Sequence, residues 1–337
     1  MLKMKAIKLR KPAGMDQFEV EDVTLPQVKR GDIRVRLHAS SLNVHDYFVV
    51  KGVLPTEEGR VPLSDGAGEV VETAGDVTEV SPGDRVISTF FPNWLAGKPT
   101  AERLGSISGD TVDGYARDEV VAPATAFTRA PRGYSDVEAA TLPCAGLTAW
   151  RALFVEASVQ PGETVLIQGT GGVSSFAFQF AKAAGARIIA MSSTDAKLER
   201  LRSMGAHELI NYKRNPEWGR VARELTGGRG VDHVVEVGGP GNLAQSLEAC
   251  TFGGNIALIG VITGFAGELP IGPMLTKNLR LTGMTVGSRE NQLAMVRAIE
   301  ANDIKPVVDK TFPRDAFAEA LRYHETGTHV GKICLKW

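Results

Sequence analysis

Residues 165–178, VLIQGTGGVSSFAF, carry the clearest chemical pattern of the sequence. An apolar run leads into GTGGVS (169–174), and small and apolar residues follow. A strand, a tight glycine turn and a helix start present backbone N–H groups and the positive end of the helix dipole, which favour a bound pyrophosphate. The pattern therefore predicts a dinucleotide-binding loop. Its predicted cofactor contacts are Gly169, Gly171, Gly172 and Val173.

Ser174 stands at the third glycine position of the G-x-G-x-x-G pattern. Glycine there permits close packing of the helix on the strand, while the first two glycines form the turn and admit the pyrophosphate. Serine adds only a small side chain, so we expect the first two roles to remain intact. The alternative, glycines that only form a turn, does not explain the strand before the loop and the helix after it.

The next predicted strand, RIIAMS, ends in small hydroxyl residues. NAD-binding folds place Asp or Glu at this end, where the carboxylate accepts from the ribose 2′-hydroxyl. Ser192 and Ser193 leave room for a 2′-phosphate and can donate to it, and Lys197 can supply a positive charge. We therefore predict NADP(H) as the cofactor; the alternative for Lys197 is a solvated helix lysine. We expect Asp195 to favour the start of the next helix.

Later strand ends extend the predicted cofactor site. Gly238, Gly260 and Val261 follow the fourth and fifth predicted strands, at the carboxyl edge where ligands of open parallel sheets bind. Thr148, in GLTAW, is predicted to contact the nicotinamide side; the alternative is a buried helix threonine.

The chain of 337 residues is long enough for two domains. Short strand patterns broken by Gly, Pro and Asp fill the first part and predict an antiparallel barrel or sandwich. Strand–turn–helix repeats from about residue 136 predict a doubly wound parallel α/β sheet of six strands. We divide the chain into a first domain (1–125), a Rossmann domain (126–287) and a tail (288–337) that returns to the first domain.

Charge and composition exclude several function classes. A net charge of −1 gives no electrostatic reason to expect nucleic acid or an anionic membrane as partner. Three widely spaced cysteines argue against a disulfide framework and for a reducing, cytoplasmic setting. The longest weakly polar run, NIALIGVITGFAG, is too short for a membrane-spanning helix.

Eight motifs together resemble the medium-chain dehydrogenase/reductase superfamily, in its zinc-free quinone oxidoreductase-like branch. They are SLNVHDY (41–47), SDGAGEVVETAG (64–75), PGDRV (82–86), DGYA (113–116), AATLPCAGLTAW (139–150), GTGGVS (169–174), MGAHELINY (204–212) and GVDHVVEVGG (230–239). The resemblance implies a barrel-like (GroES-like) catalytic domain, a central Rossmann domain, a cleft between them and a homodimer formed through the Rossmann half. It also places Lys197 and Tyr212 near the adenosine phosphate, which supports NADP(H).

Zinc-dependent members of this superfamily ligate catalytic zinc with a Cys in the first motif, a His in the second and a later Cys. This chain has Asn43 at the first position and Leu63-Ser64-Asp65 where zinc-dependent members have the GHE segment that carries the His, and keeps only Cys144. A substitute set of Cys144, Asp65 and His45 is the alternative. We predict no metal and interpret Cys144 as a small apolar filler.

Without zinc, no Lewis acid lowers the pKa of an alcohol, so we predict hydride delivery to an activated acceptor, a quinone or an α,β-unsaturated carbonyl or aldehyde. The predicted catalytic residues are Asn43, His45 and Tyr47, in a segment that the resemblance places at the cleft. His45 takes the position of a proton-relay hydroxyl and is interpreted as a proton donor, against a structural histidine. Tyr47 could bind a carbonyl.

Two other functions stay open at this point. One is a zinc-free alcohol dehydrogenase, and the other is a crystallin-like or regulatory nucleotide-binding protein with little catalysis. The aromatic segment 90–109 is interpreted either as a substrate lid or dimer contact, or as a packed surface loop.

Overall fold

The computed structural model describes residues 3–337, and the chain divides into two compact units. Unit 1 comprises the described part of Met1–Leu147 together with Val286–Trp337, and unit 2 comprises Thr148–Thr285. The first boundary therefore falls later in the chain than the 125/126 boundary expected from sequence. The reason is the helix Asp136–Ala139, which packs on strands of unit 1 and keeps the following residues with that unit.

The first part of unit 1 consists mainly of short strands. Its strands are β1 (Lys3–Leu9), β2 (Phe18–Thr24), β3 (Asp32–Ser41), β4 (Ala67–Thr73), β5 (Arg85–Ser88), β6 (Glu119–Pro123) and β7 (Phe127–Arg129). Its helices are α1 (Val44–Lys51), α2 (Ala101–Leu104) and α3 (Asp136–Ala139), and Leu142–Gly146 forms a π-helical turn. The helix α4 (Leu147–Trp150) contains the boundary between the units, and a second π-helical turn, Arg151–Glu156, lies in unit 2.

Unit 2 alternates strands and helices. Its strands are β8 (Thr164–Gln168), β9 (Arg187–Ser192), β10 (Glu208–Asn211), β11 (Val231–Glu236), β12 (Cys250–Leu258) and β13 (Arg280–Gly283). Its helices are α5 (Gly172–Ala183), α6 (Asp195–Met204), α7 (Trp218–Glu224), α8 (Leu243–Ala249) and α9 (Ile271–Thr276). The chain then completes unit 1 with α10 (Arg289–Ala301), β14 (Val308–Pro313), α11 (Phe317–Glu325) and β15 (Lys332–Lys336).

The main sheet of unit 1 has seven strands, in the order β14-β15-β3-β4-β5-β7, with β6 also paired to β3. All pairings are antiparallel except β14 with β15, so the C-terminal segment supplies two strands to this sheet. In β3, Ile33, Val35 and Leu37 are buried, as the alternation of apolar and polar residues predicts. The helix α1 begins three positions after the end of β3, so this strand leads directly into the predicted catalytic segment.

The sheet of unit 2 has six parallel strands in the order β10-β9-β8-β11-β12-β13. The chain runs outward from β8 to β10 on one side and from β11 to β13 on the other, so the strand order reverses between β8 and β11. Open parallel sheets bind ligands at this switch point, outside the carboxyl ends of the strands. The predicted α/β class, with one doubly wound parallel sheet and one mostly antiparallel domain, is confirmed.

The helix after the glycine loop follows the predicted pattern. In α5, Phe176 and Phe180 are buried and their rings stack at 5.9 Å between centroids. Across residues 3–337, no helix is long and apolar enough to cross a membrane.

Candidate active site

The glycine loop connects β8 to α5 as predicted. Gly169 has φ +72°, a left-handed conformation that favours glycine. Gly171 is the N-cap of α5, and a Cβ atom placed on it would meet no atom within 4 Å, so open space lies beside it. The first N–H groups of a helix lack intrahelical acceptors. This geometry suits the close approach of a pyrophosphate to the loop.

Ser174 replaces the third glycine with a specific hydrogen bond. Its Oγ donates to the backbone carbonyl of Gln168 at 2.6 Å, and the side chain is buried. The serine therefore links the first turn of α5 to the end of β8. Its hydroxyl is buried but hydrogen-bonded, so serine is accommodated at a position where glycine would allow close packing.

The structure brings the predicted adenosine-end residues to neighbouring strand ends. Ser192 is buried at the end of β9, and its carbonyl accepts from the backbone N–H of Tyr212, which follows β10. The Tyr212 side chain is 37% exposed, so its ring is accessible to a ligand. Ser193 follows Ser192, and Lys197 lies in the first turn of α6, with its backbone N–H on Thr194 Oγ1 at 3.4 Å. Thr194 therefore caps α6.

Arg214 is a residue of this region that the sequence analysis missed. Its guanidinium donates to the Asp195 carboxylate, which also accepts from Asn211 Nδ2 at 2.9 Å. Asp195 is thus the first residue of α6 and also pairs with Arg214, two positions after Tyr212. The available signal was the basic pair Lys213-Arg214 that follows the ELINY strand directly.

A buried polar network joins β8 and β11 at the switch point. Glu236 is fully buried, and its Oε1 accepts from the backbone N–H groups of Gly238 at 2.8 Å and Gly239 at 2.9 Å. Its Oε2 accepts from Gln168 Nε2 at 2.6 Å and from the Ser246 hydroxyl. Four neutral donors therefore satisfy the carboxylate.

The predicted contacts after β11 and β12 lie in tightly packed turns. A Cβ on Gly238 would come within 2.0 Å of Asn242 Nδ2, and one on Gly260 within 1.7 Å of the Val237 carbonyl oxygen. Gly260 therefore requires glycine for packing alone, because its obstacle is backbone, whereas the atom nearest Gly238 is the end of a side chain. Val261 is partly buried beside them, and Thr148 is buried in α4. Their cofactor contacts stay predictions.

In unit 1, Asn43 lies in a buried polar network at the start of α1. The Asp46 carboxylate accepts from Asn43 N at 2.9 Å and Asn43 Nδ2 at 3.0 Å, and its other oxygen accepts from Ser64 N at 2.8 Å. The same Asn43 Nδ2 donates to Asp65 Oδ2 at 2.8 Å. Asn43 is 7% exposed, so its predicted contact with substrate stays a prediction.

Lys332, from β15, supplies a buried positive charge to this network. Its Nζ donates to the Leu42 carbonyl at 2.7 Å and to Asn43 Oδ1, and it lies 3.6 Å from Asp65 Oδ2. Ser41 Oγ donates to the same Asp65 oxygen at 2.5 Å, whereas Asp65 Oδ1 is buried without a hydrogen-bond partner. Burial raises the pKa of the Asp65 carboxyl to about 6, and the Lys332 charge opposes that rise.

These residues do not fit a catalytic zinc ion. Zinc sites of this kind use three Cys, His or carboxylate ligands. Asn43 and Ser64 stand at two ligand positions, and the Lys332 ammonium faces the nearby carboxylate of Asp65. Within residues 3–337, no group of three or more His, Cys, Asp or Glu side chains could hold a metal ion. Desolvation and the Asp65 charge raise the pKa of the Cys144 thiol well above its ordinary value, which disfavours the thiolate that a metal needs.

His45 and Tyr47, on α1, both lie near carboxylates, but only Tyr47 forms a hydrogen bond with one. His45 Nε2 lies 3.5 Å from Asp110 Oδ2, and its ring packs edge-on against Phe90. Burial raises the pKa of Asp110, a residue that the sequence analysis did not identify. Tyr47 donates its hydroxyl proton to Glu325 Oε1 at 2.5 Å. Desolvation and this hydrogen bond raise the pKa of the Tyr47 phenol to about 12, so the hydroxyl stays protonated and is engaged by Glu325.

The aromatic part of segment 90–109 is packed. Phe90, Phe91 and Trp94 are buried, with ring centroids 4.8 Å and 5.9 Å apart for successive pairs. The Trp94 carbonyl accepts from the N–H of Arg289 at the start of α10. The start of the segment therefore belongs to the interior of unit 1, whereas Leu95 is exposed.

Comparison with known families matches both parts of the chain. A model described as "Alcohol dehydrogenase GroES-like domain" matches residues 29–132, and one described as "Zinc-binding dehydrogenase" matches residues 172–301. A zinc-type alcohol dehydrogenase-like protein of Schizosaccharomyces pombe is 44% identical over 96% of each chain. The crystal structure of an NAD-dependent alcohol dehydrogenase superposes with a TM-score of 0.90 at 33% identity, covering 99% of this chain and 100% of the other.

More distant relatives carry other activities. A 2-haloacrylate reductase of a Burkholderia species is 29% identical over 98% of each chain. A quinone oxidoreductase of Pongo abelii is 26% identical over 98% of this chain and 97% of its own. The GroES-like match to the first part, the dehydrogenase match from α5 through β13 and the full-length similarity agree with the glycine loop and the fold. The chain therefore belongs to the medium-chain dehydrogenase/reductase superfamily and is an NAD(P)-dependent oxidoreductase of that family.

Proposed function

We propose that the protein is a zinc-independent, NADPH-dependent reductase that delivers hydride to a quinone or to an α,β-unsaturated carbonyl or aldehyde. The network of Asn43, Asp65 and Lys332 carries this proposal. Asn43 sets an amide where zinc-dependent relatives have a thiolate ligand, and Ser64 stands at the position of their imidazole ligand. The Lys332 ammonium adds a fixed positive charge beside them, on Asn43 Oδ1 and 3.6 Å from Asp65 Oδ2. Without a metal to stabilise an alkoxide, acceptors that are already activated are the better substrates.

The cofactor supplies the hydride when it is bound, and this chain's residues bind, orient and protonate. The glycine loop of unit 2 holds the pyrophosphate. Reduction of an enone or quinone adds one hydride and one proton, and we assign the proton to His45. The His45 side chain is 19% exposed, whereas its Nε2 is buried 3.5 Å from Asp110 Oδ2 without a hydrogen-bond partner. We therefore assign the proton transfer to the other ring nitrogen, Nδ1. Asn43 and Tyr47 hold the segment that carries His45.

The cofactor preference rests on the ends of β9 and β10. Ser192 and Ser193 place no carboxylate at the ribose 2′ position, and Lys197, Tyr212 and Arg214 lie on the flanking elements. Basic and hydroxyl groups suit a 2′-phosphate. NAD is the alternative, because Asp195 lies just after the strand and a similar solved structure is described as NAD-dependent.

The named relatives favour two reactions. The 2-haloacrylate reductase and the quinone oxidoreductase have names that point to activated acceptors. The zinc-type alcohol dehydrogenase-like relative makes alcohol oxidation without zinc the second candidate.

A substrate screen on metal-analysed protein tests the proposal. We expect NADPH oxidation, followed by the loss of its absorbance, with quinones, enones and aldehydes after dialysis against a chelator. Activity confined to NADP⁺ and alcohols would favour the second candidate, and nucleotide binding with no turnover would contradict both.

A further inference from the structure

The hydrogen bonds across the switch point of unit 2 connect two loops that the fold alone leaves separate. We propose that Gln168, Glu236 and Asn242 form a brace that couples the glycine loop to loop 237–242, so that both halves of the dinucleotide are held in one geometry. The proposal rests on nucleotide binding by this family and not on the identity of the acceptor.

Gln168 connects the brace to the glycine loop. It is the last residue of β8, and its backbone carbonyl accepts from Ser174 Oγ at 2.6 Å in the first turn of α5. Its side chain reaches the neighbouring strand, where Nε2 donates to Glu236 Oε2 at 2.6 Å and to Ser246 Oγ at 2.9 Å. Gln168 thus fixes the start of the glycine loop through its backbone carbonyl and forms the contact between β8 and β11 through its side chain.

Glu236 and Asn242 connect the brace to loop 237–242. Glu236 Oε1 holds the first turn of this loop through the N–H groups of Gly238 and Gly239. Asn242 Nδ2 returns to Gln168 Oε1 at 3.2 Å. Thr263 extends the contact to the chain after β12, because its hydroxyl donates to the Gly238 carbonyl at 2.9 Å.

The charge of Glu236 argues for a positioning role. Among the described residues, no Lys, Arg or His forms an ion pair with its carboxylate, which is fully buried and held by neutral donors alone. A buried carboxylate is costly, and apolar side chains could pack β8 against β11 without it. What the carboxylate provides is a hydrogen-bond acceptor, Glu236 Oε1, that fixes the backbone N–H groups of Gly238 and Gly239 at the ligand edge of the sheet.

The position of the brace predicts which half of the nucleotide depends on it. The strand ends of β9 and β10 and the glycine loop lie on one side of the switch point, and loop 237–242 lies on the other. A dinucleotide binds across this crevice. An adenosine-half ligand therefore needs only the first side, whereas the complete dinucleotide needs both.

Binding measurements on the full-length protein without acceptor test the brace. We compare NADPH with 2′,5′-ADP, or NADH with ADP if the wild-type protein prefers NADH. For Gln168→Met, which keeps the length of the side chain but removes its amide, we expect about tenfold weaker NADPH binding and a change of less than about twofold for 2′,5′-ADP. Amide hydrogen exchange in loop 237–242 should rise.

Two further variants make the result decisive. Gln179→Met, the same change within α5 and outside the brace, should leave both affinities unchanged. Asn242→Ala removes only the hydrogen bond from Asn242 Nδ2 to Gln168 Oε1, at a partly exposed position. If Gln168→Met does not fold, the same comparison of NADPH and 2′,5′-ADP binding is made with this variant. Equal loss for both ligands, or unchanged NADPH affinity and hydrogen exchange, would overturn the brace. A failed acceptor screen would leave this test intact, because no acceptor is present.

Discussion

At the scale of single residues, the centre of unit 1 is organised by Lys332. Its ammonium is 3% exposed and contacts Asn43 and Asp65, and the carboxylate of Asp65 is fully buried. Removing one partner of a buried ion pair leaves an uncompensated charge, which costs more than the pair contributes. The position occupied by a zinc ligand in relatives therefore belongs, in this chain, to a self-contained polar network.

The first prediction concerns this ion pair. Lys332→Met should lower the free energy of unfolding by about 3–5 kcal/mol, because it leaves the Asp65 charge buried and unpaired. The double variant Lys332→Met with Asp65→Asn should recover a large part of that loss. Denaturant unfolding of the three proteins measures both values. A loss below about 1 kcal/mol for the single variant would show that the pair is not what holds this network.

The second prediction concerns His324, which packs against Tyr47 and His329 at the end of α11. Burial, together with the charges of His329 and Lys332, lowers the pKa of His324 to about 4. The unfolded chain binds the proton more readily, so between pH 6.5 and pH 4 stability falls as the pH falls. At full effect the loss is about 3 kcal/mol.

His324→Phe keeps an aromatic ring and removes the titration. We expect the stability difference between this variant and the wild type to grow as the pH falls from 6.5 to 4, with the variant the more stable protein. Unfolding curves at several pH values give this difference. A difference that stays constant with pH would contradict the buried neutral state of His324.

At the scale of secondary-structure elements, the strand ends of unit 2 carry the residues on which the proposed preference for NADPH rests. The parallel pairing of β9 and β10 sets Ser192 opposite Asn211, so Tyr212 and Arg214 follow at the same sheet edge. Arg214 already pairs with the Asp195 carboxylate, which lowers the negative charge near the predicted ribose site.

The third prediction follows from this arrangement. Arg214→Ala should weaken NADPH binding about tenfold relative to NADH, because it removes a cation and frees the Asp195 carboxylate near the 2′-phosphate. Lys213→Ala removes the same charge from the adjacent position and is the control. Titrations with both nucleotides give the ratio, and an equal effect of the two variants would argue for a general charge effect only.

Strands and helices were easier to predict from sequence than the side-chain contacts between them. The β8–α5–β9 pattern is local, because strand period, glycine turn and helix period all lie within thirty residues of sequence, and the structure confirms it. Asp110 and Lys332 could not be identified in this way, whereas Arg214 had a local signal that was overlooked. Lys332 lies 289 positions from Asn43, and only the pairing of β15 with β3 brings them together. The role of Gln168 likewise depends on a neighbour 68 positions away.

At the scale of the whole molecule, the surface of unit 2 bears on assembly. Several large apolar side chains there are more than half exposed: Phe252, Ile262, Phe265, Ile271 and Leu275. Exposed apolar surface of this kind marks interaction sites, and β13 is an edge strand of its sheet. We propose that a second copy of this chain covers these apolar side chains in the homodimer expected from sequence.

The fourth prediction tests this assembly. The wild-type protein should have the mass of a dimer in light scattering, and the double variant Ile271→Glu with Leu275→Glu should shift it toward the monomer, because two charges would be buried. Val53→Glu, at an exposed apolar position of unit 1, is the control and should leave the mass unchanged. A monomeric wild-type protein would contradict the proposed dimer.

The central claim is that hydride transfer proceeds here without zinc, at a site organised by Asn43, Asp65 and Lys332. The most direct measurement combines metal analysis with NADPH oxidation in the presence of a chelator. We predict zinc far below one equivalent per chain and undiminished reduction of a quinone or enone. Stoichiometric zinc, with activity lost on its removal and restored on its return, would contradict the account.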